Sequence, residues 1–300
     1  MSVVSGERSR WRHPRWTHRE IAGLDVRRDA RRIVQLLYEV RFASPFLVHL
    51  LFSLSFARQM AIPEMARILH GGGRGPILTA PRKRNDDTLI FFGLLIAEGD
   101  SEAGRAVGAR LRAMHARFPI SNDLYLYTLA NLACLPEQFG SRLLGRRMFS
   151  DKENEAQHHF WKWVAEMIGA TEVPEDWAAM DAWMRALEAE RFAHTPEGEE
   201  IAVALGREFA KRWFPRALRG VGMRVYFASF DTPLARVLAP GRVTRAERAL
   251  FEVAAGLGLR LLLWRPEGRG RTLLESFGGG YHGRPGPEQV GVGAGPQGVG

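Results

Sequence analysis

His115 ends the segment "RLRAMH" and carries the imidazole whose setting asks most clearly for chemistry. Val107, Leu111, Met114 and Phe118 recur at helical spacing and form one apolar stripe, with His115 on its border and Arg110 and Arg112 to either side. An imidazole in that position can be a hydrogen-bonded residue at the edge of a core. It can also be an axial metal ligand, with nearby arginines available to a cofactor's carboxylates. The core-edge reading is the commoner, and this helix alone leaves both open.

About thirty residues earlier lies "PRKRNDDTLIFFGLLIAEG". From Leu89 to Ala97 this pattern is apolar nearly all round, so the helix belongs inside the protein. Arg84 and Thr88 are four apart at its polar start, on a face that continues into Phe91, Phe92 and Leu95. Two polar groups can thus face an apolar cavity. The alternative is that Asn85 or Asp86 caps the helix and the arginines are solvated.

Other combinations are weaker. Glu155 and His158 have the Glu-x-x-His spacing of a di-iron bundle, but no second such pair occurs in the chain. Glu155, His159, Lys162 and Glu166 share a face opposite Phe160, Val164, Met167 and Ile168, which reads as a solvated polar face. "HGGGRG" from His70 has no Gly-x-Ser-x-Gly partner, so its glycines are expected to end a helix rather than build an oxyanion loop. No Walker motif is present, and no Gly-x-Gly-x-x-Gly follows a strand pattern. The aromatic and cationic runs "FWKW" and "AKRWFPR" are expected to pack rather than to stack bases.

Helices must position these residues. Apolar spacings of three and four dominate, so the fold class is all-α, with helices expected over about 26–40, 44–59, 63–70, 85–98, 101–118, 122–135, 151–169, 175–190, 196–213 and 244–263. Ser150 with Glu153, and Thr244 with Glu247, form capping-box patterns, and Pro63 and Pro196 suit first helical turns. The apolar run from Phe42 to Phe56 is 15 residues long, short of the ~20 that span a bilayer, and reads as a buried or interfacial helix.

The 300 residues are 46% hydrophobic, enough for a large core, and carry a net charge of +9. Lys83, Lys152, Lys162 and Lys211 are the only lysines, so the positive charge is arginine spread along the chain. That dispersion argues against a nucleic-acid partner. Cys134 is the single cysteine, which excludes an internal disulfide and fits a reducing compartment. The N-terminus lacks a signal-peptide core, so a cytoplasmic location is expected. A single domain is expected over 25–276, after an Arg/Trp-rich arm at 1–24 and before a Gly-rich tail at 277–300. The arm's Trp11 and Trp16 would dock on the body or on a membrane surface.

Three segments together resemble one family: "KRNDDT" from Lys83, "RLRAMHARFPISNDLYLYTL" from Arg110, and "FWKWVAEMIG" from Phe160. They are similar to the haem-containing oxygenases typified by MpaB and by latex-clearing protein, the rubber oxygenase. The likeness is greatest to the MpaB branch and covers roughly residues 25 to 265.

The resemblance implies a single all-α domain of about ten helices enclosing a haem b pocket, with His115 as the proximal iron ligand. Arg84 and Thr88 would be catalytic hydrogen-bonding groups in or beside that pocket, and Phe92 and Arg112 would also contact the cofactor. In the rubber oxygenase a lysine that can cap the iron precedes the matching threonine; Asp87 stands there in this chain. Asn122 and Asp123 are expected to cap the next helix and orient His115, and Tyr127 to pack in the core or face the pocket. The implied reaction is cleavage of a C=C bond by dioxygen in a hydrophobic small-molecule or polyprenyl-type substrate, with peripheral membrane contact. The alternatives are a haem protein with binding, peroxidase-like or dehydrogenase activity, and then a non-haem di-iron helical protein.

Overall fold

The computed structural model describes residues 15–280; residues 1–14 and 281–300, which hold Trp11 and most of the expected arm and tail, lie outside the described residues. The chain begins with α1 (Trp16–Gly23) and α2 (Ala30–Gln35), which runs on into a π-helical turn over Leu36–Arg41. Then follow α3 (Pro45–Met60), α4 (Pro63–His70), α5 (Pro76–Thr79), α6 (Pro81–Glu98), α7 (Glu102–His115) and α8 (Asn122–Leu144). The second half holds α9 (Asp151–Ile168), α10 (Trp177–Arg191), α11 (Pro196–Trp213), α12 (Arg219–Ala228), α13 (Thr232–Leu238), α14 (Arg245–Trp264) and α15 (Leu273–Phe277). Among the described residues there is no strand, and the helices pack into one all-α domain.

Caps explain many of the starts. Ser150 and Glu153 close a capping box at α9, Thr244 and Glu247 another at α14, and Thr272 and Glu275 a third at α15. Pro63 and Pro196 occupy first turns. Gly71, Gly72 and Gly73 all have positive φ and reverse the chain after α4, as a helix-ending glycine run should.

The count exceeds the ten helices expected because α1, α5, α12, α13 and α15 are short, or too evenly apolar to show a clear period. The helix expected to stop at 135 instead runs to Leu144 through Pro136. Proline removes one N–H from the ladder, but Phe139, Gly140, Leu143 and Leu144 are buried beyond it. Tertiary burial therefore carries the helix across the break.

α3 is the central element. Every residue from Val48 to Met60 is buried, which accounts for its apolar sequence without a membrane. No single helix among the described residues is long and apolar enough to cross one. α3 packs against α8, α11 and α4, while α9 packs against α8, α2 and α7.

Two ionic clusters lock this arrangement. Arg58 pairs through Nε and Nη2 with both carboxylate oxygens of Glu188 of α10, and through Nη1 with Asp231 at 2.5 Å; Asp231 is also the N-cap of α13. The Tyr127 hydroxyl of α8 donates to the same Glu188 at 2.8 Å, so Tyr127 is a core residue. Arg41 pairs with Glu153 at 2.5 Å and bonds the Thr17 hydroxyl. Thr17 in turn donates to Glu267, tying α1, the π turn, α9 and the segment after α14 together. Trp16 is thereby buried in the body.

His49 is fully buried between α3 and α11. It is stacked on Phe209, and its Nδ1 accepts the Trp213 indole N–H at 3.0 Å. Burial first, then the charges of Arg212 and Arg82, hold its pKa near 3 against an ordinary 6.5. The unfolded chain therefore takes up this proton first. Stability from His49 is complete above about pH 6.5 and falls as pH drops toward 3, with a slope approaching roughly 1.4 kcal/mol per pH unit. Urea unfolding of the parent and of His49→Leu between pH 7 and pH 4 should show a shallower decline in the variant; equal slopes would contradict the assignment.

Candidate active site

An apolar cavity lies where α3, α6, α8 and α9 meet. Phe52, Ser55, Phe92, Asn131, Leu135 and Trp161 line it, with about 540 Å³ of atom-free space including its solvent-open part. Phe92 and Trp161 meet edge to face, with centroids 5.3 Å apart. The π turn brings Tyr38 to the wall, where its hydroxyl donates to Gln157 at 2.5 Å.

The polar atoms in this wall are unusual. Ser55 Oγ, Asn131 Oδ1 and the Trp161 indole N–H are all buried without a hydrogen-bond partner. Each unmatched group of this kind costs about 1–3 kcal/mol. The cavity wall is apolar apart from these few polar atoms.

One turn before Phe92 on the same face of α6 stand Thr88 and, one turn earlier again, Arg84. The Arg84 guanidinium donates to the Thr88 hydroxyl and lies over the Phe56 ring, 5.5 Å from its centroid. The Thr88 hydroxyl in turn donates to the Arg84 carbonyl at 3.0 Å. Neither Asn85 nor Asp86 caps α6, against that alternative expectation: Asn85 is buried beside His49, and Asp86 pairs with Arg212 at 2.5 Å. Asp87 accepts from Lys83 at 2.7 Å.

His115 is the last residue of α7, half-buried, with its ring 5.4 Å from that of Tyr125. Its Nδ1 is buried and has no hydrogen-bond partner. Burial first, then the charge of Arg84, lowers its pKa to about 4, so the ring is neutral at physiological pH and keeps a lone pair. The structure thus brings Arg84, Thr88 and His115 to one locality, and Phe92 to the cavity next to it. Arg112 is exposed, its guanidinium beside Gly169 at the end of α9. Arg110, about a turn and a half before His115, keeps a buried Nε without a partner.

Asn122 and Asp123 do not orient His115. Asn122 bridges the Thr171 backbone, donating to its carbonyl at 3.0 Å and accepting its N–H at 2.8 Å, while Asp123 pairs with Arg191 at 2.7 Å. Ser121 rather than either of them is the N-cap of α8. Both side chains are taken by the segment after α9 and by α10, contacts remote in sequence. Phe56, Ser55, Asn131, Tyr125 and Trp161 were not singled out by sequence reasoning. The signal available was a polar residue set in an apolar run, as for Ser55 in "LFSLSF" and Asn131 in "LANLAC".

Glu155, His158 and His159 each bring a ligand-capable atom within 4.8 Å of the others, and among the described residues they are the only such group. His158 is fully buried and its Nε2 bonds the Pro174 carbonyl at 2.8 Å; Glu155 accepts the Trp177 N–H at 3.4 Å. These contacts staple α9 to the segment before α10. A di-iron bundle needs two such Glu-x-x-His pairs.

Arg84→Ala removes a positive charge that acts on His115, so the His115 pKa should rise from about 4 while staying below 6.5, because burial remains. An NMR titration of the imidazole reads this directly, and an unmoved pKa would show that Arg84 does not act on the ring. Phe92→Ala should enlarge the cavity and, because the ring is half-buried, cost about 1–3 kcal/mol in denaturant unfolding; a loss under about 0.5 kcal/mol would mean that the ring is not packed as described.

The profile of one family, described as ER-bound oxygenase mpaB/B'/Rubber oxygenase, catalytic domain, matches residues 19–276. The match takes the mpaB and rubber-oxygenase branches together and does not separate them. A search of curated proteins returns no match. The helical domain that builds the cavity and carries Arg84, Thr88 and His115 is thus covered from α1 to α15, and the chain belongs to the mpaB/rubber oxygenase catalytic-domain family of oxygenases.

Proposed function

We propose that this oxygenase is haem b-dependent and cleaves a C=C bond of a hydrophobic substrate with dioxygen. The observation that carries the reading is the His115 imidazole: neutral, buried at Nδ1 and unpartnered, near an apolar cavity. The residues present suit an iron porphyrin. His115 offers the axial lone pair, Phe92 and its neighbours offer an apolar slot, and Arg110 Nε is a donor left over for a carboxylate. Bound there, the haem would supply the dioxygen activation that amino-acid side chains lack.

The side chains have definable tasks. Burial first, and then the Arg84 charge, keep His115 unprotonated, and therefore able to donate its lone pair, at any pH well above 4. Thr88 holds the Arg84 guanidinium in place against Phe56. Phe52, Leu135 and Trp161 exclude water and favour an apolar chain over a polar one, which supports an olefinic, polyprenyl-type substrate. Ser55 and Asn131 are the polar groups in that wall that can orient it.

The optical spectrum tests the proposal. Full-length protein supplied with hemin should develop a Soret band that His115→Ala abolishes or shifts, and a colourless protein, or a spectrum indifferent to residue 115, would refute it. Arg84→Ala and Thr88→Val should each lower oxygen consumption with an olefinic substrate by about 10- to 100-fold. Full turnover in both variants would remove them from the site.

A further inference from the structure

The outer face of α14 has no partner among the described residues. Leu250, Val253, Leu257, Leu261 and Trp264 are between 56% and 80% exposed, and their spacing places them on one stripe along the helix. Ala246, Ala254 and Gly258 fill the rest of that face. Arg260 borders it, but its guanidinium is turned to the Leu144 carbonyl at 3.1 Å. Leu218 and Val221, each 50% exposed, stand at the start of α12, which packs against α14. A continuous apolar surface of this length marks an interaction site rather than ordinary exposure.

The surroundings select the partner. Arg216 and Arg219 are exposed beside Leu218, Arg245 at the start of α14, and Arg265 and Arg269 beyond its end. An apolar stripe rimmed by arginine and closed by a tryptophan matches a helix lying in the headgroup region of an anionic bilayer. A second copy of the chain fits less well, since a two-fold contact would bring the arginine rims toward each other.

The inner face of α14 adds an independent observation. Leu259 lines a small apolar pocket with Phe42, Leu47, Phe139 and Phe149. That pocket and the central cavity share Tyr38, Val48, Leu51 and Pro136 as a common wall. These four side chains therefore stand between the pocket beneath the unpartnered helix and the cavity lined by Phe92 and Trp161.

We propose that α14 is a membrane-docking helix, seated by its exposed apolar stripe in an anionic lipid surface, with the pocket beneath it as the entrance for an apolar substrate leaving the lipid. The entrance rests on the cavity being the substrate site; the docking does not depend on the haem.

Co-flotation of full-length, tag-free protein with vesicles tests the docking. Phosphatidylcholine vesicles containing phosphatidylglycerol should carry the protein upward, and neutral vesicles or high salt should carry less of it. Leu257→Glu with Leu261→Glu changes two solvent-facing residues and should lower the bound fraction by at least about tenfold. Circular dichroism and the hemin-loaded spectrum of that variant should match the parent, so loss of docking and failure of the haem assignment are separate results. Absence of flotation, or equal flotation of the variant, would overturn the proposal. So would binding lost on deletion of residues 1–14 but kept in the variant, or light scattering that shows a dimer broken by the same substitutions.

Discussion

Arg58 is 4% exposed and shares its guanidinium between Glu188 and Asp231, and the rotation of α3 follows from that pairing. A charge so deeply buried is tolerable only while both carboxylates hold it, and removing one partner of such a pair costs about 3–5 kcal/mol. The pairing therefore acts less as net stabilisation than as a key. With Arg58 held toward α10 and α13, the side of α3 carrying Val48, Leu51, Phe52 and Ser55 is turned to α6, α8 and α9. The Tyr127 hydroxyl bonds the same Glu188 and holds α8 in the register that puts Asn131 and Leu135 into the cavity wall.

The state of His115 illustrates how local and tertiary effects compete. At the C-terminal end of a helix the dipole favours the imidazolium by about 0.3–1 kcal/mol. Burial and the nearby Arg84 charge work the other way and prevail, holding the pKa near 4. The result is a neutral ring with an unpartnered nitrogen. The same logic makes the cavity wall informative: Ser55, Asn131 and Trp161 leave polar atoms unsatisfied where an apolar side chain would have filled the space at no such cost.

Helix starts were legible wherever the signal is local. Ser150, Thr244, Pro63 and Pro196 each satisfy or pre-set the first turn of their own helix, so spacing within a few residues suffices. The continuation of α8 through Pro136 and the presence of α12, α13 and α15 were not legible, because burial against distant helices, not intrinsic preference, holds those residues helical. Asn122 followed the same rule. Its sequence position suggested a cap, yet its amide is spent on Thr171, 49 residues away.

The sequence by itself determined the all-α class, the shared face of Arg84 and Thr88, and the placing of His115 at the edge of an apolar stripe, since each depends only on helical periodicity within a few turns. Only the tertiary structure decided that Arg84 stands near His115, that four helices leave an apolar cavity with unpaired polar atoms, and that the outer face of α14 remains uncovered. These are contacts, or missing contacts, between segments far apart in the chain, and they are set by how buried charges such as Arg58 fix the rotation of each helix.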